Sequence, residues 1–286
     1  MSMQFFVTQV LNGVSLGGLL FFLASGLTLI FGLMRIVNLA HGSFYLVGGY
    51  IGLTTTLTTH NFWLGLAAAG ASIAVLGVIT ERVLLRRIRG QVLPEVLLTV
   101  GLLTVIADLA LAVWGGDPKA IAPPAYLTQS VHLGSIVYPL FRLVVTALAI
   151  IVGIAMYLLQ QRTRIGAIIR AGVDDREMVA ALGININRVF TGVFIFGSAL
   201  AGVAGIIGGA FLSLAPGQDG AVLLLSLVVV IVGGLGSLPG AALGSLIVGL
   251  GNVFGTAEFP QFASFIIFAP MAIVLVVRPT GLLGRR

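Results

Sequence analysis

The residues in this chain that could do chemistry are few, and what they lack is as informative as what they offer. The single lysine, Lys119, sits in Gly116-Asp117-Pro118-Lys119. A phosphate-cradling loop instead needs a GxxxxGK run followed by Ser or Thr, so that the lysine can reach the phosphates. The chain therefore has no Walker-type nucleotide site. It has no cysteine, which excludes a disulfide framework, a thiolate metal site and a cysteine nucleophile. HExxH, GxSxG and paired carboxylates are missing as well. No catalytic residue and no metal site is assigned, and the chain is not expected to be an enzyme.

The polar residues that remain stand among apolar ones. Asn38, His41 and Ser43 open a long apolar run beside Gly42. They either line a solute path or are hydrogen-bonded structural groups, since a buried polar group needs a partner whatever its function. Asp108 lies six residues before Trp114, about 9 Å from that end at helical rise. It reads as the only acidic residue deep in an apolar run, where it either carries transport or pairs within a bundle. Gly236, Ser237, Pro239 and Gly240 interrupt another apolar stretch and make a third candidate site.

One polar segment has helix punctuation of its own. In Arg170 to Asn185, Asp174 can cap a helix and Glu177, three residues on, completes a capping box. Gly183 suits a left-handed stop followed by Ile184. The spacing predicts a helix of about two turns with Met178, Ala181 and Leu182 on one side and Asp174, Asp175 and Glu177 as polar flank. It is either a surface helix lying on a membrane or a docking helix for a partner.

The elements that must position these residues are membrane helices. Of 286 residues, 58% are hydrophobic and 8% charged, with mean hydropathy +1.15. A soluble chain carries roughly 25% charged residues to wet its surface, so the solvent here is lipid. The first 34 residues hold no Lys or Arg, so a cleavable signal peptide is not expected. Apolar runs of spanning length cover 5–31, 35–57, 62–80, 92–114, 136–158, 189–212 and 261–278, with an irregular stretch at 222–256. The fold class is thus all-α and polytopic, with about eight membrane segments in one domain, 1–286.

Arginines set the orientation. They crowd the gap at 82–89, the gap at 162–188 and the C-terminal tail, and only Lys119 and Arg142 fall on the other side. Cytoplasmic basic loops place the N-terminus outside and the C-terminus inside. The positive charge therefore points to a membrane and not to nucleic acid. Parity requires the 222–256 stretch to enter and return on one side, as a re-entrant broken hairpin or as two short tilted spans with a cytoplasmic turn. A weak echo links Asn38-Leu39-Ala40-His41-Gly42-Ser43 with Gly236-Ser237-Leu238-Pro239-Gly240, each leading into a glycine-bearing apolar run. Gly197, Gly202, Gly205, Gly208 and Gly209 suit close helix packing.

The runs NLAHGSFYLVGGY (38–50), ERVLLRRIRG (81–90), RAGVDDREMVAALGIN (170–185), IVGGLGSLPGAALGSLIVGL (231–250) and RPTGLLGR (278–285) closely resemble the branched-chain amino acid ABC permease family, in particular its H-type Liv permeases. The match spans nearly the whole chain in order. The resemblance implies an importer of branched-chain or related small or aromatic amino acids across a bacterial inner membrane. It also implies a paralogous second permease, two cytoplasmic ATPase subunits that bind the ATP, and a periplasmic binding protein. This chain itself then holds no cofactor. Residues 170–185, within a cytoplasmic loop at 159–188, match the family segment that contacts the ATPases. The alternative from another class is a self-sufficient secondary transporter or channel driven through Asp108.

Overall fold

The structure, a computed structural model, describes residues 2–134 and 136–284; the side chains of Leu133, Asp174, Arg176 and Ser264 lie outside the description, as do Arg285 and Arg286. It is a helical bundle. In chain order it contains α1 (Met3–Met34), α2 (His41–Thr59) and α3 (Phe62–Ile79). A π-helical segment, Thr80–Leu85, leads from α3 into α4 (Arg86–Ile88), and α5 (Val92–Trp114) follows. A small hairpin of β1 (Ser130–Leu133) and β2 (Ile136–Pro139) precedes α6 (Leu140–Arg162), α7 (Arg164–Asp174) and α8 (Arg176–Ala181). The chain ends with α9 (Ile186–Leu212), α10 (Gln218–Gly233), α11 (Leu238–Glu258) and α12 (Ala263–Val277). By length and composition, six helices among the described residues are apolar enough to cross a membrane, and 218–233 and 265–277 are shorter apolar helices. The expected spans at 5–31, 62–80, 92–114, 136–158 and 189–212 recur within a few residues at one or both ends, whereas α2, in place of 35–57, is not among the six and 261–278 is represented by a shorter helix. The hairpin and the unwound 35–40 segment are what hydropathy alone did not reveal.

Several helices begin where a side chain satisfies the first free amides. Ser2 accepts from the Phe5 amide (3.2 Å), Asn61 from Trp63 (2.9 Å) and Asn185 from Arg188 (3.3 Å). α1 is the buried centre, with 83% of its apolar window covered, whereas the windows of α5 and α6 are only 11% and 17% covered. The apolar outer faces of these helices fit a lipid surround.

Small residues set the packing. Every backbone amide in a span is already bonded within its helix, so association depends on close fit. α1 runs along α11 with Gly17 against the Ser245 carbonyl, and α9 runs along α3 with Gly77 against Ser198. α1 and α9 cross at Gly26 and Gly197, each lying against the carbonyl of the other.

That crossing relates two halves. Each long helix leads through a short non-helical segment (35–40 or 213–217) into a helix that begins inside the bundle, α2 or α10. α2 packs on α3 and α5, as α10 packs on α11 and α12. The equivalents are therefore α2 with α10 and α3 with α11. The echo seen in the sequence joined the start of α2 to the start of α11, which are not equivalent positions.

The irregular stretch resolves into two helices. α10 has 16 residues and α11 has 21, about 24 and 32 Å at helical rise. They are joined by a turn in which Gly234 (φ 108°) and Gly236 (φ 78°) hold left-handed conformations that cost a glycine little. The broken stretch is thus two apolar helices around a Gly/Pro turn, the feature shared by both arrangements expected from the sequence. The turn abuts Gly32 near the end of α1 and Gly284 of the tail. It thus belongs to the end of the bundle that carries Arg35 and Arg170 (the arginine end), opposite Lys119.

Candidate functional site

Two helices begin near the bundle's interior, and the polar candidates gather there. His41 Nε2 donates to the Leu23 carbonyl at 3.1 Å. Leu23 lies eleven residues before the end of α1, about 16 Å of helix rise, so α2 starts deep within the bundle. The Ser43 hydroxyl donates to the Leu103 carbonyl at 3.0 Å and lies 3.4 Å from Asp219 Oδ2. Gly42 packs against the Asp219 backbone at the start of α10. Asp219 stands in the first turn of its helix, where the dipole favours a carboxylate. Asn38, His41 and Ser43 are fully buried and Asp219 is 3% exposed. Both polar atoms of the Asn38 side chain, His41 Nδ1 and the Tyr50 hydroxyl have no partner among the described residues. A buried group in that state costs on the order of 1–3 kcal/mol. Such unmet capacity suits a place where water or a polar solute passes.

The Gly/Pro candidates lie elsewhere, at the arginine end. Ser237 caps α11 by accepting from the Gly240 amide (3.1 Å), with Pro239 in the first turn. Gly240 is pressed against the Gly233 carbonyl. Gly236, Ser237 and Pro239 line a cavity of 700 Å³, with Thr28, Arg35 and Arg170 on other walls. The structure thus divides the candidate residues into an inner polar centre and an end cavity.

Asp108 joins neither group. It stands exposed on the outward face of α5. The acidic residues inside the bundle are others. Asp219 was missed, though Pro216-Gly217 followed by an acidic residue marks a helix start. Glu95 is buried at the start of α5 and accepts from the Gly90 amide at 2.7 Å. Glu81 is fully buried, paired with Arg89, and accepts from the Thr191 hydroxyl at 2.7 Å. Among the described residues, no three His, Asp or Glu side chains come together as metal ligands.

The capped helix is present with one correction. α7 runs through Asp174, and Asp175 caps α8 by accepting from the Met178 amide at 2.9 Å. Both aspartates can cap; the preceding helix consumes the first. The Asp174 side chain lies outside the described residues. At the far end the Gly183 amide bonds the Ala180 carbonyl (2.9 Å) and the Ile184 amide the Val179 carbonyl (3.3 Å), with Gly183 at φ 79°. This is the double-bonded left-handed stop expected of Gly183. Val179 is buried against the bundle, whereas Met178 and Leu182 are 61% and 71% exposed. Ala181 and Glu177 are exposed beside them.

The comparisons agree with this architecture. Residues 9–275 match the family described as the permease component of the branched-chain amino acid transport system. The chain is 29% identical to the high-affinity branched-chain amino acid transport system permease protein BraD of Pseudomonas aeruginosa, over 98% of this chain and 96% of that protein. It is 29% identical to the corresponding protein LivH of Escherichia coli K12, over 100% and 98%. The probable LivH of Methanocaldococcus jannaschii is 28% identical, over 96% and 92%. No solved structure matches. A bundle of long apolar helices whose family match runs nearly end to end is that of a transport protein: the chain belongs to the branched-chain amino acid transport system permease family.

Proposed function

We propose that this chain is one permease of a heteromeric importer and that α8 receives the force of ATP hydrolysis. The observation that carries this reading is the outward pair Met178 and Leu182 on a helix capped at both ends and anchored by Val179. With no phosphate-binding loop in the chain, ATP-driven motion arrives through a protein contact. The loop 159–188 offers the apolar face, and Asp175 and Glu177 supply its polar rim. Two ATPase subunits bind there and hold the ATP, so this chain needs no cofactor. A periplasmic binding protein delivers substrate at the Lys119 end.

The arginine distribution supports an N-terminus outside and a C-terminus in the cytoplasm of a bacterial inner membrane. Residues 1–286 act as a single permease domain. The outward face of α5 supports a second, paralogous permease as neighbour. An Asp in mid-span costs about 2.5–3.5 kcal/mol by insertion scales, and covering Asp108 removes it from lipid. Asn38, His41, Ser43 and Asp219 form the polar part of the solute path, and the turn at 234–237 with the first turn of α11, which holds Pro239 and Gly240, forms its cytoplasmic mouth.

Leu182→Asp tests the coupling assignment. It places a charge at the desolvated centre of the contact, which costs several kcal/mol, while leaving the spans intact. The variant is expected to insert and purify like the parent but to lose its ATPases and its amino acid uptake. Normal uptake with the ATPases still bound would show that α8 merely rests on the membrane.

A further inference from the structure

We propose that residues 117–122, between α5 and β1, are a strap that holds the 213–217 segment under strain and shuts the polar centre off from the Lys119 end. The inference rests on the permease reading and adds to it a device that governs access to that centre.

The strap is tied to the bundle through its backbone. The Lys119 amide donates to the Leu214 carbonyl at 2.8 Å, and the Leu214 amide donates back at 2.7 Å. Two residues on, the Ile121 amide donates to the Gly209 carbonyl at 3.1 Å. Gly209 lies in the last turn of α9, where carbonyls have no partner within the helix. The strap therefore caps the end of α9 and also pairs with the chain that leaves it.

Two side chains make a stopper. Ile121 is 2% exposed and Leu214 fully buried, although neither stands in a helix. A Cβ added at Gly209 would meet Ile121 at 2.6 Å and Leu214 at 2.9 Å, and one added at Gly49 would meet Leu214 at 2.6 Å. Leu214 thus fills the space between α2 and α9. Gly49 stands six residues beyond Ser43 on α2, about 9 Å at helical rise, so the stopper lies between the polar centre and the Lys119 end.

The held segment stores strain. Ser213, beside Leu214, has φ 65° and ψ 171°, a backbone region that belongs almost wholly to glycine. Such a conformation persists only where its surroundings impose it, and the pairing of Leu214 with Lys119 imposes it here. Five residues after Leu214 comes Asp219, which meets Ser43 and Gly42. Lifting the strap lets Ser213 relax, withdraws Leu214 from α2 and α9, and shifts the start of α10. Gly115, at φ 81° with nothing within 4 Å of an added Cβ, gives the strap a hinge at the end of α5.

The cysteine-free chain permits a direct test. Ser43→Cys places one thiol in the polar centre of the full-length permease in lipid nanodiscs, and its rate of reaction with a small cationic methanethiosulfonate reports access. In the Ser43→Cys background, Ile121→Ser removes the apolar half of the stopper and should speed labelling at least about tenfold. Ser213→Gly relieves the strain while the strap stays in place, and should slow labelling about tenfold. It decides the matter alone if Ile121→Ser does not fold. Val137→Cys in the exposed hairpin should label at one rate in every background. Equal Ser43→Cys rates with and without these changes would overturn the proposal, as would faster labelling with Ser213→Gly. Lys119→Cys with Leu214→Cys provides a lock, since reciprocally bonded antiparallel residues lie about 5.5 Å apart and a disulfide spans that distance. Oxidation should stop uptake by the importer assembled with its partner subunits, and reduction should restore it. Uptake undiminished by the cross-link would overturn the strap as a moving part. An assembled parent importer without amino acid uptake would instead count against the permease reading, on which the labelling rates do not depend.

Discussion

A carboxylate inside a membrane protein is retained only where it is neutralised and hydrogen-bonded, and Glu81 satisfies both conditions. One oxygen meets Arg89 and the other accepts from Thr191 of α9. Arg89 also donates to Asn187 at 2.8 Å and stacks 4.6 Å from the Phe190 ring centre. The π-helical turn at Thr80–Leu85 carries Glu81 toward α9, which is how one turn of altered winding becomes a clamp between two helices. Breaking a buried pair costs about 3–5 kcal/mol because the survivor is left charged and unpaired. Glu81→Gln should therefore lower the thermal midpoint of the detergent-purified chain by several degrees. The double variant Glu81→Gln, Arg89→Gln should recover most of the loss. Single and double variants that both melt like the parent would rule out the clamp. In the sequence Arg89 is one more arginine of a basic gap between apolar runs, and only the fold reveals its partner. Asp108 misleads for the same reason: hydropathy locates a charge along a span but not around it. α5 turns Asp108 outward, while the fold draws Asp219, from a helix start, into the interior.

At the scale of elements, the break between α10 and α11 was legible because glycine and proline act on the backbone locally. Gly234, Gly236 and Pro239 impose the turn whatever surrounds it. The start of α2 was not legible. Residues 35–40 fall inside an expected span, yet they run unwound, with Ile36, Asn38 and Ala40 buried and the Thr99 hydroxyl 3.5 Å from the Val37 carbonyl. Non-helical backbone at such depth persists only because neighbouring protein covers it, and a neighbour is what a linear pattern omits. Close approach also explains what Gly240 does. A Cβ there would overlap the Gly233 carbonyl, a backbone atom that can move only with its helix. Gly240→Leu forces α10 from α11, and overpacking of this kind costs about 1–3 kcal/mol. The variant should reach the membrane at near-normal levels while uptake falls about tenfold, the effect of that strain on a moving contact. Gly220→Ala, with nothing within 4 Å of the added carbon, should transport normally. Unimpaired uptake by Gly240→Leu would show that the helices have room to part.

Over the whole molecule, order along the chain and order in space diverge, which is why composition revealed a membrane bundle but not its plan. Charge counting needs only the sequence, because basic loops choose a side one by one. The plan instead depends on one crossing, where α1 and α9 touch backbone to backbone. Gly26 lies against the Gly197 carbonyl, and Gly197 lies 2.9 Å, measured from an added Cβ, from the Gly26 carbonyl. The stripe Gly197 to Gly209 announced close packing without naming the partner, and Gly26 stands in a run too uniformly apolar to mark it. Both halves hang from this point, since α1 carries α11 and α9 carries α3 along their lengths. A side chain here cannot be absorbed by a rotamer change, because the obstacle is main chain on a buried helix. Gly26→Leu should therefore abolish the folded species, seen as loss of the monodisperse peak in fluorescence-detected size exclusion of a tagged chain. Gly192→Ala lies on the same helix α9, and nothing is within 4 Å of its added carbon. It should elute like the parent. A monodisperse, active Gly26→Leu protein would mean that the halves are not held at this crossing, and that the contacts of α1 with α11 suffice.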